Sequence, residues 1–505
     1  MNGRTLDEDL SAAARRQGDK TVLVTQQRSV TFTELDAAAE RVAVGLLALG
    51  VQPGDRVAIV LPNSVELAEA VYGVMRSCAA ITPLNPTIKA GKLSQLLEHA
   101  SVAAVVCDEE RAEVVRAAVA RSEREIPIVD DLASIGSRRD GDRPPHPLDS
   151  NLGAVVYTSG STGEPKGVTL TQRNMTFVAD SIIEYLEMNE RDRILCLLPM
   201  SFGYGLYQLL TCVRCGATLV LEQGITFPGR IVGLLESEKI TGLPAVPTVF
   251  QVLISLKGLA ERELPHLRFI TNAGAGLPAA TLAEVRRTFS GAKLYSMYGQ
   301  TECQRVCYLP PDQLEVRPTS VGIAIPGTEL WVENEEGRVA RPGEIGELMV
   351  RGSHVMQGYW EEPALTADRL RPGRWPWERV LATGDLFTQD EEGYLYFVGR
   401  KDDLIKSRGE KVAPKEVEEV LHSLPGVREA AVIGVPDKLL GQAVQAHVAA
   451  HAGHELDPAA LKRGCAEQLE THMIPQHVIL HTALPRTANG KIDRRSLSGK
   501  TPPQD

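Results

Sequence analysis

Between Tyr157 and Val168 the chain reads YTSGSTGEPKGV. Glycine lets main-chain N–H groups turn sharply and come close to an anion. Here Gly160, Gly163 and Gly167 alternate with the hydroxyl donors Thr158, Ser159, Ser161 and Thr162, and Lys166 adds a positive charge. By chemistry alone this is a phosphate cradle. It is not a Walker A loop, because GxxxxGK[ST] is absent from the segment. A polar hairpin turn is the competing explanation. It would suit a five-residue Gly/Ser stretch better than this longer string with its lysine.

Further strings follow in order: TNAGAGLP (Thr271–Pro278), SMYGQTEC (Ser296–Cys303), ATGDL (Ala382–Leu386), GRKDDLIKSRG (Gly399–Gly409) and LPRTANGKIDRR (Leu484–Arg495). Each alone has an ordinary explanation: a tight turn, a buried tyrosine beside a surface glutamate, a Gly-Asp turn, solvated charges, a lysine after an Asn-Gly turn. The ordered set, together with the cradle, resembles the signature of the adenylate-forming superfamily. That superfamily includes acyl-CoA synthetases, firefly-type luciferases and the adenylation domains of nonribosomal peptide synthetases. The resemblance covers nearly the whole chain.

The resemblance implies a role for each motif. Gly274, Ala275 and Gly276 pack against the adenine and its ribose. Members often have two adjacent glycines where this chain has Ala273 and Gly274, a mild departure. Tyr298 stacks on the adenine, with Gly299 and Gln300 completing the YGxTE string. Thr301 reaches the α-phosphate, and Glu302 holds Mg²⁺, a hard cation that prefers oxygen ligands. Asp385 accepts from the ribose hydroxyls, as a carboxylate suits a diol. Arg400 lies near the ribose and phosphate, Asp402 is a hinge, and Gly409 lines the path of an incoming thiol. Lys491 bridges the substrate carboxylate and the α-phosphate.

The reaction implied is ATP-dependent and AMP-forming. A carboxylic acid becomes an acyl-adenylate and then passes to a thiol. Coenzyme A is the expected acceptor, and the phosphopantetheine arm of an acyl carrier protein is the alternative. No carrier module is expected after Lys491. PMSFGYGL (Pro199–Leu206) resembles the stretch that walls the acyl pocket. Amino-acid-activating relatives usually carry Phe-Asp there, the aspartate holding the α-ammonium. This chain has Phe202-Gly203, which lacks a partner for a buried positive charge. A stand-alone amino-acid-activating enzyme is therefore only a second alternative. Phe202, Tyr204, Cys303 and Gln304 are the pocket candidates. An ADP-forming phosphotransferase and a non-catalytic binding protein are the readings from other classes. The missing Walker A loop opposes the first, and the intact set of Lys166, Glu302, Asp385, Arg400 and Lys491 opposes the second.

A chain of 505 residues needs more than one packed unit. Its formal charge of −11 excludes a generally basic surface for nucleic acid or anionic membranes. No apolar run approaches a membrane span, no secretory signal is visible, and the eight cysteines are scattered. A reduced, cytoplasmic protein is expected. The single CVRC pair, Cys212 and Cys215, reads as buried small residues rather than a metal or redox site.

The elements that must position these motifs alternate in type. Arg56–Leu61 and Ala103–Cys107 read as buried strands, and Val65–Met75 and Glu109–Ala120 as helices. Ser137–Asn151 is a polar, proline-rich linker feeding the strand Leu152–Tyr157. After about residue 315, short strands with glycine turns (GTELWV, GELMVRG, GYLYFVG) predict a β-rich subdomain. Pro414–Ser423 is an amphipathic helix, with strands at Ala430–Gly434 and Ala443–Ala450. The expected fold is α/β: a large N-terminal domain of layered α/β subdomains plus a β-rich subdomain, residues 1–400, and a small mobile α+β C-terminal domain, residues 401–505.

Overall fold

A computed structural model describes residues 5–135, 146–159, 165–225, 227–407, 410–437, 440–487 and 491–497. Four sheets organise the described residues. The first has seven strands, ordered Gly358–Tyr359, Pro165–Thr171, Leu152–Ser159, Ala80–Pro83, Arg56–Val60, Val102–Cys107 and Ile128–Val129. Its centre is parallel, and Val57, Ala58, Ile59 and Val60 are all buried. An apolar run without alternation is what a sheet covered on both faces requires.

The second sheet has nine strands and carries Phe269–Asn272 beside Lys293–Tyr298, in parallel. Both sheets share one core with the helices Phe32–Ala48, Val65–Arg76, Gln172–Tyr185 and Gly203–Cys215. Thr31 and Glu34 form a capping box at the start of Phe32–Ala48. Two buried arginines tie the first helix, Leu6–Gln17, to its neighbours. Arg76 holds Asp7 at 2.6 Å and Asp36 at 2.5 Å, and Arg214 holds Asp9 and Asp180. Cys212 and Cys215 lie on the last turn of Gly203–Cys215, and both are free thiols.

A third, antiparallel sheet contains Glu329–Glu333, Gly346–Arg351 and Leu370–Pro372, with Arg379–Gln389 pairing Leu395–Arg400. This is the β-rich part. The fourth contains Ile405–Ser407, Glu410–Val412, Val427–Asp437, Gly441–Ala450 and His477–His481. The helix Pro414–Ser423 packs Val417 and Leu421 onto it, with proline in its first turn. The architecture is thus a large layered α/β part followed by a small α+β part. No described helix is long and apolar enough to cross a membrane.

One local feature differs from a simple strand-then-loop. Leu152 to Ser159 and Pro165 to Thr171 form an antiparallel hairpin, with Thr158 opposite Lys166 and Ser159 opposite Pro165. The described flanks of the cradle, Thr158–Ser159 and Pro165–Lys166, are therefore paired strand ends. Gly160, Ser161, Thr162 and Gly163 lie outside the described residues, as does most of the linker 137–151.

Candidate functional site

Three motifs meet at Asp385. It lies on the bulged strand Arg379–Gln389, in register with Arg400. Arg400 Nε donates to Asp385 Oδ1 at 3.0 Å, and the Tyr298 hydroxyl donates to Asp385 Oδ2. A carboxylate has about four acceptor positions, so each oxygen keeps capacity for a further donor. Burial raises the Asp385 pKa, opposed by Arg400 and the Tyr298 hydrogen bond. Burial also raises the Tyr298 phenol well above its ordinary value, and the Asp385 charge adds to it. The Tyr298 ring packs edge-on against Phe387, with centroids 5.0 Å apart.

Lys491 comes to the same place from the C-terminal part. Its Cε lies 3.7 Å from where a Cβ on Gly274 would stand. Gly274 has φ +88°, a left-handed conformation that glycine adopts without penalty. The lysine as a whole remains exposed to solvent. Surrounding protein nevertheless desolvates its ammonium and lowers its pKa; the Arg400 charge lowers it further and Asp385 opposes. The 273–276 segment is braced by Asn272, whose Nδ2 donates to the Ala275 carbonyl at 2.9 Å. Asn272 Oδ1 and Gln300 Nε2 are enclosed without protein partners. They leave one acceptor and one donor open.

The turn after Tyr298 is tight. A Cβ on Gly299 would stand 2.2 Å from the Gln304 carbonyl oxygen. Gln304 adopts φ +60°, and its Nε2 donates to the Thr301 carbonyl at 2.8 Å. Glu302 is held from the far side, where the Tyr359 hydroxyl donates to its Oε1 at 2.7 Å. Tyr359 belongs to the edge strand paired with Pro165–Thr171, and Lys166 Nζ lies 5.9 Å from its ring centroid. Tyr359 therefore joins the strand that carries Lys166 to Glu302. Glu302 Oε2 accepts nothing among the described residues, so a hard oxygen donor is free for a divalent cation. Among the described residues no three His, Cys, Asp or Glu cluster to hold a metal.

Phe202 is the residue preceding the helix Gly203–Cys215, and Tyr204 lies in its first turn. The Tyr204 hydroxyl bonds Thr271 Oγ1 at 2.6 Å. A Cβ on Gly203 would stand 2.3 Å from Gln304 Oε1, so the glutamine amide fills the space beside this glycine. Cys303 is fully buried in the main core, and burial raises its thiol well above the ordinary value. It is a neutral packing group. Asp402 sits in the 3₁₀ turn Lys401–Asp403, its Oδ2 3.8 Å from Arg369 Nη2. Gly409 lies outside the described residues.

Two residues at the site carry no sequence signal of their own, Tyr359 and Arg305. Tyr359 lies in QGYW, without charge or spacing to mark it. Arg305 follows the YGxTE string but looks like any solvated arginine until its burial is known.

Residues 10–360 match the family described as AMP-binding enzyme, and residues 416–491 match that family's C-terminal domain. The chain is 32% identical to a 3-[(3aS,4S,7aS)-7a-methyl-1,5-dioxo-octahydro-1H-inden-4-yl]propanoyl:CoA ligase of Rhodococcus jostii, covering 98% of each chain. It is 29% identical to an L-proline--[L-prolyl-carrier protein] ligase of Pseudomonas fluorescens, over 98% of this chain and 99% of that one. Among solved structures, ATP-bound MatB from Rhodopseudomonas palustris superposes with a TM-score of 0.90 at 29% identity, covering 99% of each chain. The apo form of the same protein gives 0.80 at equal identity and coverage. The arrangement here is the nearer to the ATP-bound one.

Proposed function

From the premise that the chain belongs to the AMP-binding enzyme family, an ATP-dependent, AMP-forming acid–thiol ligase, we propose how its residues divide the work and that coenzyme A is the acceptor. In the first step a carboxylate oxygen attacks the α-phosphorus of ATP. The Pα–O bond to the β-phosphate breaks, and pyrophosphate leaves. The transition state spreads negative charge over phosphate oxygens, so positioning and electrostatic stabilisation supply most of the catalysis. The cradle, from Thr158 to Lys166, grips the departing β- and γ-phosphates. Thr301 and Lys491 act at the α-phosphate, Lys491 as a compact charge on a flexible stem. Asp385 takes the ribose hydroxyls with Arg400 beside it. Tyr298 and the 274–276 segment flank the base. Glu302 would hold Mg²⁺, which when bound neutralises phosphate charge.

In the second step a thiolate sulfur bonds to the acyl carbon, the acyl–phosphate C–O bond breaks, and AMP leaves. Lys491 belongs to the first step, so the C-terminal part must swing away before the thiol arrives. We place the boundary at residue 400 and the hinge at Asp402, with Gly409 on the thiol's path. The observation that carries this reading is Lys491 lying on Gly274 beside Asp385 and Arg400.

The carrier-protein alternative is supported by full-length similarity to a carrier-protein ligase. An α-amino acid substrate is opposed by Gly203, beside which Gln304 fills the space. The free cysteines and the need for ATP and a thiol suit the reducing cytoplasm.

The test is ATP–pyrophosphate exchange across aliphatic, aromatic and amino acids, then with coenzyme A and with loaded carrier proteins added. AMP, pyrophosphate and an acyl-CoA are the expected products. ADP with phosphate, or acyl transfer only to a carrier protein, would overturn the proposal or its acceptor respectively.

A further inference from the structure

Three arginines are less than a tenth exposed among the described residues: Arg76, Arg214 and Arg305. Arg76 is paired with three carboxylates, Asp7, Asp36 and Glu40, and Arg214 with two, Asp9 and Asp180. Arg305, at 5% exposure, has no carboxylate or carbonyl acceptor among the described residues, and its Nε is fully enclosed without a partner. A guanidinium stays charged and offers five donors. Burying one without a counter-anion is costly, and native proteins rarely do it without a functional reason.

Its surroundings are those of the acyl-pocket candidates. The guanidinium carbon lies 5.2 Å from the Tyr204 ring centroid. Tyr204 sends its hydroxyl to Thr271 and so does not neutralise the charge. Arg305 directly follows Gln304, whose amide abuts Gly203. The titratable groups that feel its charge include Tyr185, Tyr207 and Cys307, all neutral near pH 7 because burial raises them. Tyr207 lies one turn beyond Tyr204 on the same helix, and its hydroxyl is enclosed without a partner. Ser201 Oγ, just before that helix, is also enclosed and unpartnered. Among the described residues this region thus offers an unpaired cation and two hydroxyls without partners, and no carboxylate pairs with Arg305.

Resting on the adenylating role proposed above, we propose that the acid substrate carries a second carboxylate, remote from the one activated, and that Arg305 receives it. The planar guanidinium matches a carboxylate with two parallel hydrogen bonds. The Tyr207 hydroxyl, which is unpartnered and feels the Arg305 charge, is free to add a third donor. The acid then brings the counter-charge that the folded chain lacks.

The experiment pairs each diacid with its own half-ester, which keeps the length and removes one charge. Linear diacids of four to eight carbons and the two benzene-dicarboxylic acids with non-adjacent carboxyls serve as probes, read by ATP–pyrophosphate exchange. At least one diacid should exceed its half-ester in kcat/KM by about 30-fold or more, the loss typical when one partner of a buried charge pair is removed. Arg305→Met should collapse that preference ratio by a similar factor, and Arg305→Lys should retain part of it. Without substrate, the melting temperature of Arg305→Met should equal or exceed the wild-type value, because an unpaired buried charge is gone. A fall in melting temperature would make Arg305 a packing residue and overturn the inference. So would equal loss on diacid and half-ester. A wild type that exchanges neutral acids but no diacid overturns this inference and leaves the adenylating role standing. Exchange with no acid at all removes both.

Discussion

The Cε of Lys491 lies 3.7 Å from the position of a Cβ on Gly274, bringing the last motif of the chain onto the segment Thr271–Pro278, some 200 residues earlier. A Cβ there would make ordinary van der Waals contact with the lysine, so the left-handed φ of +88°, not lack of space, is what favours glycine at this position. If Lys491 serves the α-phosphate alone, its loss should split the two half-reactions. Lys491→Ala is expected to lower ATP–pyrophosphate exchange by about 10²–10³. Acyl transfer from supplied acyl-adenylate should persist at a rate near wild type. Unchanged exchange in this variant would remove the assignment.

The pH dependence follows from the lowered Lys491 pKa. The ammonium must be charged to stabilise phosphate, so exchange should fall as pH rises through its pKa. Desolvation and Arg400 place that pKa below the ordinary lysine value of 10.5 in the free enzyme. Bound ATP, an anion, favours the charged form and moves it back up. The alkaline limb of kcat/KM should therefore lie at lower pH than that of kcat. Lys491→Arg should push both limbs out of the measurable range. Coincident limbs near the ordinary lysine value would contradict this account.

Gly299 tests the tight turn. An added Cβ would meet the Gln304 carbonyl oxygen at 2.2 Å and its carbon at 3.0 Å, both main-chain atoms that cannot rotate away. Gly299→Ala must displace the segment carrying Thr301, Glu302 and Arg305. Misplacement of about 1 Å commonly costs around 10² in rate. Overpacking of this kind also destabilises by about 1–3 kcal/mol. Exchange kinetics with thermal melting read both effects. Gly229→Ala, where nothing stands within 4 Å, is the control expected to behave as wild type.

What the sequence reveals depends on whether a signal is local. RVAIV at Arg56–Val60 can be read directly, because a strand buried on both faces needs only an apolar run. Pro414–Ser423 is legible for the same kind of reason, with proline opening it and Val417 and Leu421 spaced four apart. The return of the phosphate loop as a hairpin is not legible, since Pro165 and Lys166 have weak strand propensity and the antiparallel partner decides the outcome. At the site, Tyr298, Asp385 and Arg400 can each be picked by motif. Their mutual hydrogen bonds cross 87 and 15 residues of chain and exist only in the fold. Tyr359 and Arg305 act through burial and contact, which no spacing rule encodes.

Tyr359 supplies the last prediction. Its hydroxyl donates to Glu302 Oε1 at 2.7 Å and fixes which oxygen remains open. Its ring also stands 5.9 Å from Lys166 Nζ. Tyr359→Phe keeps the ring and its packing but frees the carboxylate to rotate. A hydrogen bond to a charged group contributes about 1.5–3 kcal/mol, and water can replace part of it here. The Mg²⁺ concentration for half-maximal exchange should rise by about 5–20-fold, with kcat at saturating Mg²⁺ reduced less and the melting temperature little changed. Outer groups that orient a metal ligand commonly cost 10–100-fold in affinity when removed, which sets the upper end. Tyr359→Leu removes the ring as well, and should add a rise in the KM for ATP by loosening Lys166 at the base of the hairpin. An unchanged Mg²⁺ requirement in Tyr359→Phe would show that Glu302 is oriented by its own backbone, through its carbonyl accepting from Met356 N–H at 2.9 Å, rather than by the tyrosine.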